Sequence, residues 1–105
     1  MSKTTVLIVE DDAGLREALV DTLLLADYQV VAADSAEQAI MMLGRQPVDI
    51  VVSDIQMGEM NGLALLKAIK AKDANLPVLL MTAYATIDDA VQAMRDGATD
   101  YLSKP

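Results

Sequence analysis

The sequence predicts an α/β domain built on a doubly wound, five-stranded parallel sheet. Short apolar runs of strand length alternate along the chain with segments whose apolar residues recur at helical spacing. Strands and helices that alternate in this way are typical of βαβ units, and therefore of a parallel sheet. The chain has 105 residues, which fits one domain with one hydrophobic core.

The first strand is predicted over residues 4–9, and it ends abruptly in Glu10, Asp11 and Asp12. From Ala13 the pattern becomes helical, because leucines recur at four-residue spacing. Asp12 is well placed as the N-cap of this helix, since a short acidic side chain accepts hydrogen bonds from the first backbone N–H groups.

Two further strands follow in the first half of the chain. The second spans 28–33, and Asp34 or Ser35 begins the second helix. The third spans 48–53, and its apolar character on both faces is typical of a buried parallel strand. Ligands of open α/β sheets bind at the carboxyl ends of such strands, so Asp54 is the first candidate site residue.

The second half of the chain repeats this alternation. Glycines and Asn61 mark a loop before the third helix, and a fourth strand spans 78–81. A fourth helix follows, Gly97 fits its C-cap, and a short fifth strand spans 99–103. Right-handed crossovers in the flavodoxin-like strand order 2-1-3-4-5 place the first helix alone on its face of the sheet.

A final helix after the fifth strand would be needed to share the face of the first helix. The sequence stops at Pro105, where that helix should begin. An amphipathic helix that buries about four aliphatic side chains contributes on the order of 6–12 kcal/mol gross, comparable with the net stability of a small domain. We therefore expect residues 1–105 to be one domain in the N-terminal part of a longer protein.

The composition excludes several kinds of site. The chain has neither cysteine nor histidine, so any chemistry depends on carboxylates, hydroxyls and lysine. A net charge of −8 without a basic cluster argues against nucleic-acid binding by this domain. No apolar run approaches the roughly 20 residues of a membrane span, and the N-terminus is too short and polar for a signal peptide. A cytoplasmic domain is expected.

Polar side chains converge on the edge of the predicted sheet where neighbouring strands end. These side chains are Glu10, Asp11, Asp12, Asp54, Thr82 and Lys104. Two carboxylates 4 Å apart repel by roughly 4 kcal/mol at an effective dielectric of 20, and a divalent cation removes that cost. A small all-oxygen site suits Mg²⁺. Carboxylates, Mg²⁺, a hydroxyl and a lysine are the groups that phosphoryl transfer uses, with a carboxylate as the nucleophile.

Four motifs lie at the ends of these strands: IVEDD, SDIQM, MTAYA and DYLSKP. In this order and spacing they resemble the receiver domain of two-component response regulators, and the resemblance covers essentially the whole chain. The segment ATIDDAVQAMRDGATDYLSKP is most similar to receivers of enhancer-binding transcription activators, which carry an ATPase module and a DNA-binding module.

The resemblance implies roles for individual residues. Asp54 is the expected phosphoacceptor and a ligand of the metal. Asp11 is expected to bind Mg²⁺ directly, with Glu10 acting through water. Gln56, two residues after Asp54, is expected to offer its backbone carbonyl to the metal.

The resemblance also implies a conformational switch. Thr82 and the amide of Ala83 are expected to hold the phosphoryl oxygens, and Lys104 to form an ion pair with the acyl phosphate. The bond between Lys104 and Pro105 is expected to be cis. Tyr101 matches the aromatic residue that turns inward when Thr82 moves.

The implied partners are a sensor histidine kinase and the protein's own C-terminal output modules, with a homodimer or higher oligomer forming on activation. Such a domain catalyses its own phosphorylation and dephosphorylation rather than a conventional turnover. One departure from the family is Gly58, which lies where many members carry proline. The loop before the third helix should therefore be more mobile.

Other functions stay open from the sequence alone. A receiver whose output does not depend on phosphorylation would act as a binding module. A magnesium-dependent aspartyl-phosphate phosphohydrolase would also use Asp54, but it needs a second acid where Gln56 lies. An FMN binder needs a hydroxyl- and glycine-rich loop after the first strand, where three acids would repel the phosphate. Tyr101 also fits plain packing, and Lys104 a surface position.

Overall fold

The computed structural model describes residues 3–56, 61–82 and 87–103. The elements, in chain order, are β1 (Thr5–Val9), α1 (Ala13–Leu25), β2 (Gln29–Ala33), α2 (Ala36–Leu43), β3 (Ile50–Asp54), α3 (Gly62–Lys72), β4 (Val78–Thr82), α4 (Ile87–Arg95) and β5 (Asp100–Ser103). The strands form one parallel sheet in the order β2-β1-β3-β4-β5, which confirms the predicted doubly wound fold. No helix within the described ranges is long and apolar enough to span a bilayer.

β1 lies at the point where the strand order reverses, between β2 and β3. Val9, the last residue of β1, is paired with Ala33 on one side and with Ser53 on the other. Asp54, the last residue of β3, is paired with Met81 of β4. The carboxyl ends of the three central strands therefore meet at one edge of the sheet, where a ligand site of this fold is expected.

The two faces of the sheet are covered differently. Alternate strand residues such as Leu7 and Leu80 form one cluster with buried residues of α2, α3 and α4, among them Ala36 and Leu66. No residue of α1 is buried, and Leu19, which its spacing predicted to face inward, is only partly covered. The asymmetry agrees with the prediction that α1 is alone on its face within the described chain.

Side-chain caps begin the first two helices. The Asp12 carboxylate accepts a hydrogen bond from the Leu15 N–H at 3.0 Å, which confirms the predicted N-cap of α1. Ser35 is the N-cap of α2, since its hydroxyl accepts from the Gln38 N–H at 3.1 Å. Asp34, the other candidate, instead donates its backbone N–H to the Gln38 side-chain oxygen at 2.7 Å.

Several boundaries near the site differ from the sequence-based prediction, among them the end of β4, which includes Thr82. β3 begins at Ile50 and includes Asp54, which we had placed beyond the strand. Just before this start, the Asp49 carboxylate accepts the Thr5 N–H at 2.7 Å and the Asp49 N–H donates to the Thr5 carbonyl at 2.8 Å. Gly62, which we had placed in a loop, is the first residue of α3.

Candidate functional site

Asp54 is buried at the carboxyl end of the central strands, with 2% of its surface exposed. Its strand is held on the β4 side by the Ile55 N–H, which donates to the Met81 carbonyl at 2.9 Å. One carboxylate oxygen, Oδ1, accepts a hydrogen bond from the Gln56 N–H at 3.2 Å. A carboxylate in this position is kept away from bulk water and oriented by its own backbone.

Three acidic side chains meet at this edge. Oxygen atoms of Glu10, Asp11 and Asp54 all lie within 4.8 Å of one another. Glu10 is fully buried, whereas Asp11 is exposed. The structure thus brings Asp54, at the end of β3, next to the adjacent pair Glu10 and Asp11 that follows β1, as the strand order predicted.

This donor set fits a hard divalent cation. It consists of carboxylate oxygens alone, and two of the three side chains are buried in the described structure. Like charges this close repel one another, and a divalent cation between them adds attractions that outweigh the repulsion. Few carboxylates with room for water on the exposed Asp11 side suit Mg²⁺ in particular. The individual ligand roles of Asp11, Asp54 and Glu10 remain predictions.

Backbone and side-chain groups of the β1–α1 connection support Glu10. The Asp12 N–H donates to Glu10 Oε2 at 3.3 Å, and Arg16 Nη1 donates to the Glu10 carbonyl at 2.9 Å. Sequence reasoning missed Arg16. The available signal was a basic side chain one helical turn after the acidic run, at a spacing that returns it to the start of the helix.

Thr82 lies beside the acidic cluster, at the carboxyl end of β4, with 1% of its surface exposed. Its hydroxyl donates to Gln56 Oε1 at 3.4 Å, a long hydrogen bond. Gln56 therefore contacts Asp54 through its backbone and Thr82 through its side chain. The predicted role of the Gln56 carbonyl as a metal ligand is a separate matter and remains a prediction.

Tyr101 lies in β5 opposite Leu80 of β4. It is partly buried and packs against the main hydrophobic cluster. This placement is compatible with both readings of the sequence, a packing residue and a moving one. Its role as a switch therefore remains a prediction.

Some predicted residues lie outside the described ranges. They are Gly58, Ala83, Lys104 and Pro105. The expected contacts of Lys104 and of the Ala83 amide with a phosphoryl group stay sequence-based predictions, as do the mobile loop and the cis bond.

A parallel sheet in this strand order, with an acidic cluster at its carboxyl edge, defines a flavodoxin-like domain of the kind used by signalling receivers. The model of the response regulator receiver domain family matches residues 6–105, and the chain belongs to that family. The family assignment made from the four strand-end motifs is confirmed.

Curated relatives of this chain include a response regulator protein and transcriptional regulatory proteins. Response regulator protein FleR of Pseudomonas aeruginosa is 56% identical over 100 residues, which are 95% of this chain and 21% of FleR. The C4-dicarboxylate transport transcriptional regulatory protein DctD of Rhizobium meliloti is 44% identical over 96% of this chain and 22% of DctD. Transcriptional regulatory protein ZraR of Escherichia coli is 43% identical over 95% of this chain and 23% of ZraR. The chain spans about a fifth of the length of these relatives.

Solved receiver structures have the same fold. A response regulator receiver protein from Pseudomonas putida is 33% identical, with a TM-score of 0.94 over 100% of this chain and 88% of that one. The response regulator TrrA from Thermotoga maritima is 26% identical, with a TM-score of 0.89 over 97% of this chain and 87% of that one. The TrrA crystal structure is a complex with Mg²⁺ and BeF, so a neighbour of this fold holds a divalent cation and a phosphoryl mimic.

Proposed function

We propose that this domain is a phosphorylation-dependent switch. Asp54 accepts a phosphoryl group from a sensor histidine kinase in the presence of Mg²⁺, and the modified domain controls a transcription output module. The observation that carries the proposal is the buried Asp54 carboxylate, which lies within 4.8 Å of the Glu10 and Asp11 carboxylates and next to Thr82 through Gln56.

The chemical step is an in-line transfer. An Asp54 carboxylate oxygen attacks the phosphorus of a phosphohistidine, a P–O bond forms, the P–N bond breaks, and its electron pair returns to the imidazole of the kinase. The hydrogen bond from the Gln56 N–H to Asp54 Oδ1 orients the nucleophile. Mg²⁺, when bound by Asp11 and Asp54 with Glu10 acting through water, supplies positive charge to the phosphoryl oxygens.

The switch follows from the position of Thr82. Its hydroxyl donates to the Gln56 side chain at 3.4 Å, which is long enough to be replaced by a stronger acceptor such as a phosphoryl oxygen. A shift of Thr82 at the end of β4 changes the space beside the neighbouring strand β5, which carries Tyr101. Phosphorylation thereby favours one of two populated states of this region. In the expected site Lys104 pairs with the acyl phosphate.

The setting of the domain is also part of the proposal. Because the chain spans about a fifth of FleR, DctD and ZraR, residues 1–105 are the receiver at the N-terminal end of a longer regulator, whose output modules act in transcription. The net charge of −8 supports DNA contact by those modules rather than by this domain. Activation joins receivers into a dimer or higher oligomer in the cytoplasm.

Backbone amide shifts test the proposal. Addition of Mg²⁺ and beryllofluoride should shift the amides of Asp54, Thr82 and Tyr101, and Asp54→Asn should remove the beryllofluoride response. An Asp21→Asn variant, which changes one exposed carboxylate of α1, should respond like the wild-type chain. Unchanged amides in the wild-type chain would contradict the switch.

Two other outcomes would replace the proposal. Sustained turnover of an added phosphate ester would identify a phosphohydrolase. Partner binding with equal affinity before and after phosphorylation would identify a binding module. The Gln56 side chain, at the position where a hydrolase of this kind needs its second acid, favours the switch over the hydrolase.

A further inference from the structure

Gly62, the first residue of α3, lies directly against the backbone of Asp54. Its N–H donates to the Ile55 carbonyl at 2.8 Å, and the residue is buried. A Cβ atom added at this position would overlap the Asp54 carbonyl oxygen and would lie 2.8 Å from the Ile55 Cα. These neighbours are backbone atoms of the last residue of β3 and of the residue after it, so no flexible side chain is available to move aside.

The strand has little freedom to yield on its other sides. On the β4 side, the Ile55 N–H is bonded to the Met81 carbonyl at 2.9 Å, and the Ser53 hydroxyl donates to the Asp54 carbonyl at 2.9 Å. A side chain at Gly62 would therefore displace either the start of α3 or the peptide that carries the Asp54 carboxylate. Displacement of that peptide would change the distances from the Asp54 carboxylate to Glu10 and Asp11.

We propose that Gly62 is a positioning residue for phosphoryl transfer, because the absence of its side chain allows α3 to start where it fixes the Asp54 backbone within the acidic cluster. The proposal rests on the proposed function for its catalytic consequence. The placement of Asp54 relative to Glu10 and Asp11 is measurable without phosphoryl transfer, through Mg²⁺ affinity.

Another glycine of the chain provides a matched control. A Cβ at Gly44 would meet only the Met41 and Ile40 carbonyl oxygens, at 3.5 and 3.8 Å, which are ordinary contacts. The backbone of Gly44 has φ −75° and ψ −15°, which alanine adopts readily. Gly44→Ala therefore adds the same methyl group at a helix terminus far from the acidic cluster.

The experiment compares Gly62→Ala with Gly44→Ala in two measurements. One is the rate of Asp54 phosphorylation by a small phosphodonor such as acetyl phosphate; the other is the Mg²⁺ concentration at half-saturation. A displacement of about 1 Å at a reacting group costs up to about 100-fold in rate. Gly62→Ala should react about 10- to 100-fold more slowly and bind Mg²⁺ more weakly, while Gly44→Ala stays within about twofold of wild type.

A third variant separates positioning from plain loss of stability. Ile69→Val removes one methyl group from the buried face of α3, which typically costs about 0.5–1.5 kcal/mol and inserts no atom against β3. Rates are compared for the folded fraction of each variant. The proposal is overturned if Gly62→Ala stays within about twofold of wild type, or if Ile69→Val loses as much rate and Mg²⁺ affinity.

A wild-type measurement decides the matter where Gly62→Ala does not fold. In a Mg²⁺ titration the Gly62 amide, which is bonded to Ile55, should shift with the same midpoint as the Asp54 amide, and the Gly44 amide should stay unchanged. A Gly62 amide that ignores the titration overturns the proposal. If the wild-type chain binds Mg²⁺ but accepts no phosphoryl group, the proposed function fails, while the Mg²⁺ measurements still test the position of Asp54.

Discussion

Two carboxylates at the carboxyl edge of the sheet are buried as deeply as its apolar interior, and the two regions are chemically opposite. Leu7, Val51 and Leu80 are fully covered in the interior, and so is Glu10 at the edge, with Asp54 almost as well covered. Burial of the leucines and valine is favourable by about 25 cal/mol for each Å² removed from water. Burial of neighbouring carboxylates is unfavourable, because they lose hydration and repel one another.

This difference means that the apolar interior stabilises the fold, whereas the acidic edge provides the candidate functional site. The interior stabilises the sheet and the three helices on its better covered face. The clustered carboxylates at the edge should lower the free energy of unfolding until a bound cation or a phosphoryl group changes the local charge. In the absence of Mg²⁺, truncating a buried apolar side chain of the interior should therefore lower the free energy of unfolding, whereas neutralising a buried carboxylate of the edge should raise it.

The largest effect is expected in the interior. Leu66→Ala removes a fully buried side chain of α3 and should lower the free energy of unfolding by about 2–5 kcal/mol, through lost transfer energy and a cavity. Leu25→Ala, at a leucine that is 90% exposed, should change it by less than about 0.5 kcal/mol. Urea denaturation in the absence of Mg²⁺ measures both. Equal losses would show that burial does not distinguish these sites.

Binding of Mg²⁺ should turn the unfavourable contribution of the acidic edge to the free energy of unfolding into a favourable one. At a concentration 100 times its dissociation constant, Mg²⁺ should add about 2.7 kcal/mol to the free energy of unfolding of the wild-type chain. Asp11→Asn should lose most of this gain because one of the three clustered carboxylates becomes neutral. Thermal unfolding of both chains with and without Mg²⁺ measures this gain. A gain in Asp11→Asn as large as in wild type would place the cation elsewhere.

Neutralising the edge without metal should also stabilise the chain. Asp54→Asn keeps the shape of the side chain and removes one charge from the cluster. In Mg²⁺-free buffer it should raise the free energy of unfolding by about 1–2 kcal/mol, a part of the roughly 4 kcal/mol repulsion of a pair 4 Å apart. The exposed Asp21→Asn should change little. Destabilisation by Asp54→Asn would mean that its hydrogen bonds outweigh the repulsion.

A helix cap outside both regions should have the smallest effect. Ser35→Ala removes the acceptor for the Gln38 N–H and should cost about 1 kcal/mol. Ser35→Asp restores an acceptor at the helix N-terminus and should recover most of that loss. Neither variant should change the Mg²⁺ midpoint. A change in that midpoint would show that α2 and the acidic edge are coupled.

The fold was predictable because its signals are local. Alternation of apolar runs and helical spacing predicted all nine elements of the described ranges. The preference of short polar side chains for helix starts predicted the N-cap Asp12 and gave Ser35 as one of two candidates beside Asp34. Gly97 has φ +102°, a conformation in which glycine is favoured, as its predicted place after α4 requires. The strand order came from the fold class rather than from individual residues.

The site was predictable in part. The meeting of Glu10, Asp11 and Asp54 followed from the order of parallel strands. The Gln56–Thr82 contact and the packing of Gly62 on Asp54 depend on how closely β4 and α3 approach β3, which no spacing in the sequence encodes. Sequence spacing gives the edge at which residues meet, and packing decides the distances between them.

The pairing of Val9 with Ser53 has a consequence for the order of events in folding. Glu10 and Asp11 directly follow the first strand to be synthesised, and Asp54 ends the third, so the three predicted cation ligands can come together only after β1 and β3 have paired. The effect of Mg²⁺ on the refolding and unfolding rates should therefore report when β1 and β3 pair. If β1–β3 pairing is present in the folding transition state, Mg²⁺ accelerates refolding; if it forms later, Mg²⁺ slows unfolding alone.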